Sequence, residues 1–153
     1  MIRIQGVLVP IDFSKESLLA AKFAASLAQE YQTTLHVLHV FDPVPSYAAN
    51  YLPETYHEDV TRQIREDLSR VVPRGVKDRI QVQEILVTGS PTDHVIVEKA
   101  KELGVDVIVI STRGRTGMAH VLLGSVAEHV IRHAPCPVFV VRNPKDKYVY
   151  GWE

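Results

Sequence analysis

The sequence predicts an α/β domain of the Rossmann-like, doubly wound kind: a parallel sheet with helices on both faces. Two observations carry this. Five short runs rich in apolar and β-branched residues alternate with stretches of helical periodicity along the 153 residues. Successive runs are also separated by enough chain for a crossover helix, as parallel neighbours require.

The first run is Val7 to Ile11, with Pro10 near its end, where the missing ladder hydrogen bond costs least, and Asp12 just beyond it. Leu18, Ala21, Ala25 and Ala28 then recur near helical spacing, with N-cap candidates between Ser14 and Ser17. Thr34 to Phe41 is the second strand, ended by Asp42-Pro43. Pro43 to His57 carries three prolines and the tyrosines Tyr47, Tyr51 and Tyr56. A segment of this kind is either a lid or binding loop, or a surface loop whose tyrosines cover the sheet edge. Val60, Ile64, Leu68 and Val71 mark a helix closed near Pro73 and Gly75. Ile80 to Val87, the least uniformly apolar run, is expected at an edge of the sheet.

Gly89-Ser90-Pro91 predicts a sharp helix entry with Ser90 as N-cap and Pro91 at the first helical position, the helix running from Thr92 to Leu103 and ending at Gly104. Val107 to Ile110 is the central strand, Ser125 to His133 a last helix, and Val138 to Val141 a last strand. No glycine- or serine-rich linker and no internal repeat divides the chain, so residues 1–143 are expected to form one domain. The tail 144–153 alternates Tyr148, Tyr150 and Trp152 with Val149 and Gly151, as in either a short strand or a loose end.

Composition narrows the function classes. A net charge of −1 and a pI near 6.7 provide no general field for nucleic acid or an anionic membrane, so any basic site must be local. One cysteine, Cys136, forms no internal disulfide, and no targeting segment is recognised before the first strand. The expected location is the cytoplasm, with neither nucleic acid nor a membrane as partner.

Ligands of doubly wound sheets sit beyond the carboxyl ends of the strands, where the winding reverses. Asp12, Val40 and the loop after Ile110 lie at that end. The loop has the makings of an anion site: Arg113 and Arg115 supply charge, Gly114 and Gly124 allow close backbone approach, and the helix opening at Ser125 presents free N–H groups. The simplest such anion is the phosphate of a nucleotide.

Other candidates are weaker. His36 and His39 are three apart on a strand and point to opposite faces, so they share no metal. His129 and His133 share a helix face, but no third ligand is evident in the sequence, and cations near a helix carboxyl end are favoured by the dipole alone. Cys136, between two prolines, reads as a buried inert thiol. Neither Ser111 nor Ser125 has the histidine and acid of a hydrolase in recognisable order, and no lysine follows the glycines as in a GKT or GKS pair.

The segments VLVPIDFSKES, LHVLHVF, GSPTDHVIVEKA, DVIVIS and GRTGMAHVLLGSVAEHVIRHAPCPVFVV together resemble the universal stress protein family, over the span Val7 to Val141. The resemblance implies a five-stranded parallel sheet in the order 3-2-1-4-5. ATP-binding members carry a loop GxxG, nine residues, then G followed by S or T. Here the second glycine falls on Gly114, the nine residues are Arg115 to Leu123, and Gly124-Ser125 closes the motif, while Ser111 stands at the first glycine.

Carried over, the resemblance implies that Pro10, Ile11 and Asp12 flank the adenosine and that Val40 and Ile110 line the adenine slot. Gly114, Gly124, Ser125 and Val126 would cradle the phosphates, with Ser111 at the ribose or α-phosphate and the charges of Arg113 and Arg115 in the same loop. It further implies ATP with Mg2+ as the ligand, a switch or sensor in stress response with at most very slow hydrolysis, and a homodimer through the last strand, Pro137 to Arg142. Occupancy would act through the Arg115 to Leu123 loop on a protein partner. Ser111 keeps a second class open, a dimeric interaction module that binds no nucleotide. A third, an adenosine-handling enzyme or carrier of the electron-transfer flavoprotein-like or adenylate-forming type, would be marked by visible absorbance or by steady turnover of ATP to AMP.

Overall fold

The computed structural model describes residues 1–49, 51–113 and 123–143. Gly114, Arg115, the rest of the loop to Leu122 and the tail 144–153 lie outside the described residues.

The five strands are β1 (Gly6–Pro10), β2 (Thr34–Phe41), β3 (Val82–Thr88), β4 (Val107–Ser111) and β5 (Val138–Val141). All pair in parallel in the order β3-β2-β1-β4-β5, so the winding reverses between β1 and β4. Six helices are described: α1 (Lys15–Glu30), α2 (Ser46–Ala49), α3 (Tyr56–Val71), α4 (Arg74–Lys77), α5 (Thr92–Leu103) and α6 (Ser125–His133).

Alternation along the strands divides the core into two layers. Val7, Val9, Leu35, Val37, Val107 and Val109 face the alanine-rich side of α1 together with Leu68 and Val71 of α3. Leu8, Leu38, Ile108 and Ile110 face Ile96, Val97 and Ala100 of α5 and Ala127 and Val130 of α6. The alanines of α1 are fully buried, and their small side chains let the helix lie close on the sheet. β3 and β5 are the two edges.

Several local expectations shift. Ser90 does not cap α5: its hydroxyl donates to the Asp42 carboxylate (3.2 Å), Pro91 takes the N-cap position, and Thr92 is the first helical residue. Gly104 closes α5 in the left-handed conformation (φ 60°), which glycine adopts without side-chain cost. Among the described residues, none of the proline-rich segment after Asp42 lines the main cavity, and Tyr51 is exposed instead of covering the sheet. The short α2 and α4 were not anticipated. They are single turns next to prolines, too short for a hydrophobic period to register.

The two strand histidines are buried on opposite layers. His39 Nδ1 donates to the Ile11 carbonyl (2.7 Å) and its ring packs on Phe13, whereas His36 Nδ1 is buried with no hydrogen-bond partner among the described residues. Burial holds His36 below the ordinary histidine value of 6.5, against an opposing hydrogen bond with Gln83. The unfolded chain therefore takes up a proton at His36 that the folded chain resists. Stability from this group is complete above about pH 6.5 and falls as pH drops below it. Unfolding midpoints at pH 7.5 and pH 5 should differ less in His36→Leu than in the unsubstituted protein; equal pH dependence in both would refute the assignment.

Candidate functional site

A cavity of about 390 Å³ opens at the carboxyl ends of β1, β2 and β4, at the winding reversal. That volume falls within the usual range for small-molecule sites. Its apolar walls include Val40 from β2 and Ile110 from β4, both in the α5/α6 layer. Pro10, Ile11 and Asp12 line it from the end of β1; Ser111, Arg113, Gly124, Ser125 and Val126 bring polar groups to it from the end of β4 and the start of α6. Ten of the residues chosen from sequence thus converge on one cavity, and the other two, Gly114 and Arg115, lie outside the described residues.

The turn after β1 is held tightly by its own side chains. Asp12 Oδ1 accepts from the Ser14 backbone N–H (3.0 Å) and from the Ser14 hydroxyl, closing an Asx turn through Phe13, whose φ is +64°. Ser14 in turn caps α1, its hydroxyl accepting from Ser17 N–H (3.2 Å). Ser17 accepts from Asp12 N–H (3.3 Å). The aspartate therefore closes a structural turn and lines the cavity at once.

The polar groups at the end of β4 and the start of α6 are placed by the return of the chain from β4. Gly124 N–H donates to the Thr112 carbonyl (2.7 Å), which pins the start of α6 against the end of β4. The N-cap of α6, Gly124, has no side chain, and no capping side chain is seen among the described residues; the first turn carries the positive end of the helix dipole to the cavity rim. Ser111 is buried, and its hydroxyl donates to the Arg113 carbonyl (2.9 Å). In place of a glycine it thus ties down the strand's exit.

Sequence reasoning missed Ser17, His39, Phe41, Asp42, Thr92 and Thr112, all of which line the cavity. Phe41, Asp42 and Thr112 stand at strand carboxyl ends, where the rule that selected Asp12 also applies. Thr92 is brought in by α5 only through the tertiary fold.

The profile of the Universal stress protein family matches residues 4–142. The chain belongs to this family. A universal stress protein of Methanocaldococcus jannaschii is 36% identical over 141 residues, covering 91% of this chain and 82% of the relative. One of Bacillus subtilis is 32% identical over 145 residues, covering 89% and 97%. Among solved structures, the universal stress protein UspA of Lactobacillus plantarum superposes with a TM-score of 0.75 at 27% identity, covering 93% of this chain and all of that one. A universal stress protein in complex with cAMP has a TM-score of 0.66 at 26% identity, with 92% and 98% covered. The Archaeoglobus fulgidus protein in complex with dAMP has a TM-score of 0.65 at 26% identity, with 93% and 100% covered. These two solved relatives are thus complexes with adenine nucleotides. No described helix of this chain is long and apolar enough to cross a membrane.

Proposed function

We propose that this universal stress protein binds an adenine nucleotide, ATP with Mg2+, and acts as a switch in stress response with little or no hydrolysis. The observation that carries the reading is the lining of the cavity. Val40 and Ile110 supply apolar lining that suits an aromatic base, and the start of α6 at Gly124 and Ser125 suits phosphate. Asp12, also in the lining, carries a carboxylate that would accept from ribose hydroxyls. The relatives bound to cAMP and dAMP support the same ligand class. Magnesium would neutralise the phosphate charge, and no lysine of a GKT pair stands ready to help transfer a phosphoryl group.

The test is thermal unfolding of nucleotide-free protein with and without Mg2+ and ATP. Ligand at about 100 times its dissociation constant adds about 2.7 kcal/mol, a rise of roughly 5 to 10 °C for a chain of this size. GTP should give a smaller rise. Asp12→Asn, which preserves an acceptor for the turn but removes the charge, should diminish the ATP response. No rise at millimolar ATP would sink the proposal and favour the second reading, an interaction module without nucleotide. Ser111 is the residue that favours that reading, and Ser111→Gly should then create affinity.

The second part of the proposal is a homodimer through Pro137 to Arg142. β5 ends the sheet, and Phe139 and Val140, which point to opposite layers, are both exposed. An apolar edge strand open on both faces is a template for pairing with another strand.

A further inference from the structure

His129 was paired in the sequence only with His133, but the fold supplies it with different partners. α5 packs on α6, and the first turn of α5 brings Asp93 and His94 beside His129. Asp93 Oδ1 lies 3.1 Å from His94 Nδ1, and Oδ2 lies 3.5 Å from His129 Nδ1. All three ligand atoms fall within 4.8 Å of one another. The His94 and His129 rings face each other with centroids 4.2 Å apart. His133 stacks on the far side of His129 at 4.1 Å, but its Nδ1 donates to the His129 carbonyl (2.9 Å), an ordinary helix-end contact.

We propose that Asp93, His94 and His129 form a binding site for a transition-metal dication of the Zn2+ class. Two imidazole nitrogens and one carboxylate oxygen are the donors that zinc, copper and nickel take, whereas magnesium and calcium prefer oxygen throughout. A tetrahedral ion with bonds of about 2.1 Å spaces its ligands roughly 3.4 Å apart. The Asp93 oxygens already stand at about that spacing from both nitrogens, and His94, with 60% of its side chain exposed, is free to rotate inward. Asp93 and His129 are mostly sheltered, at 21% and 22%, so the carboxylate and the second imidazole are held by the helix packing.

Charge favours the same conclusion. Burial alone would raise the Asp93 carboxyl, but hydrogen bonds from His94 and the charges of His129 and His94 hold it below its ordinary value, so it is a carboxylate at neutral pH. The neutral imidazole ring is the form that binds metal. Three protein ligands leave the remaining coordination positions to water or an exogenous ligand, as in open zinc sites. Thr92, next to Asp93, and Ser125, one helical turn before His129, both line the main cavity, so the metal site flanks its rim. It needs no nucleotide, and its test is independent of the nucleotide reading.

The experiment is calorimetric titration of tag-free protein with Zn2+ in buffer free of phosphate and nucleotide, repeated with Co2+ for its visible absorption. The expected result is a single equivalent bound, with affinity reduced by at least about tenfold in Asp93→Asn and in His129→Gln. His133→Gln and His57→Gln should bind as the unsubstituted protein does. Circular dichroism melts of each variant confirm that the fold persists. The absence of saturable binding, unchanged binding in both ligand variants, or equal loss in His133→Gln would overturn the proposal.

Discussion

Gly124→Val should cut the thermal response to Mg2+ and ATP by about half or more while leaving the protein folded. The backbone at Gly124, φ −71° and ψ 156°, is open to any L-residue, so the effect does not come from a strained conformation. It comes from crowding. A Cβ at Gly124 would stand 3.3 Å from the Thr112 carbonyl oxygen, the same atom that accepts the Gly124 N–H at 2.7 Å. Both partners in this contact are backbone, which yields less readily than the end of a flexible side chain, and valine adds two methyl groups beyond that Cβ. The start of α6 must then move away from the end of β4, and both ends line the cavity.

Overpacking of this kind costs about 1 to 3 kcal/mol, which a domain of ordinary stability survives. The first-turn N–H groups, in contrast, are useful to a phosphate only in place, since their hydrogen bonds depend steeply on distance and angle. Affinity for ATP should fall at least about tenfold, or 1.4 kcal/mol, so the roughly 5 to 10 °C rise should shrink by about half or more at the ligand concentration that produced it. Ser125→Ala, which removes a hydroxyl but no backbone donor, should cost far less. A Gly124→Val protein that melts cooperatively and still responds fully to ATP would show that the ligand does not use this helix start.

How much of this was legible in the sequence depends on whether the signal was local. β5 and α6 were anticipated at their observed limits, Val138–Val141 and Ser125–His133, because one is an unbroken apolar run after a proline and the other opens directly behind a glycine. The cavity's polar lining at the start of α6 followed from spacing, since Gly124 and Ser125 close a motif whose order of strand, loop and helix has one topological position. Asp12 was found as a residue beyond a strand, although its second task in the Asx turn with Ser14 needed coordinates.

What failed was non-local. Ser90 was read as a cap because its neighbours suit one, but Asp42, from the end of another strand, takes its hydroxyl. Thr92 reaches the cavity, and Asp93 and His94 reach His129, only because α5 and α6 share a face of the sheet. Periodicity reports which face a residue takes, not which residue from a distant helix it meets there.

Val140→Lys should convert a dimer into a monomer, read by sedimentation equilibrium or light scattering at matched concentration. The argument starts from β4, which covers one side of β5 through parallel pairing of Ile108 to Ser111 with Val138 to Val141. Nothing among the described residues pairs with the other side, because β5 is the end of the sheet. A monomer would leave backbone donors and acceptors to water there, which costs little, but it would also leave Phe139 at 48% and Val140 at 38% exposure on adjacent, opposite faces. Natural edge strands that remain single usually carry a charge or a bulge against pairing, and VFVV carries no charge.

A lysine at Val140 supplies that missing charge, and across a symmetric interface it does so twice, setting ammonium groups close together in an apolar contact. Its long stem reaches solvent in the monomer, so the fold should tolerate it. Phe139 contacts the ring of Phe23 on α1, with centroids 6.1 Å apart, and is the less selective place to cut. If the unsubstituted protein is monomeric at micromolar concentration, or if Val140→Lys leaves a dimer intact, β5 is not the interface. If dimer and nucleotide affinity fall together, the two halves of the proposed function are coupled through β4, which pairs with β5 along one edge and ends at the cavity in Ile110 and Ser111.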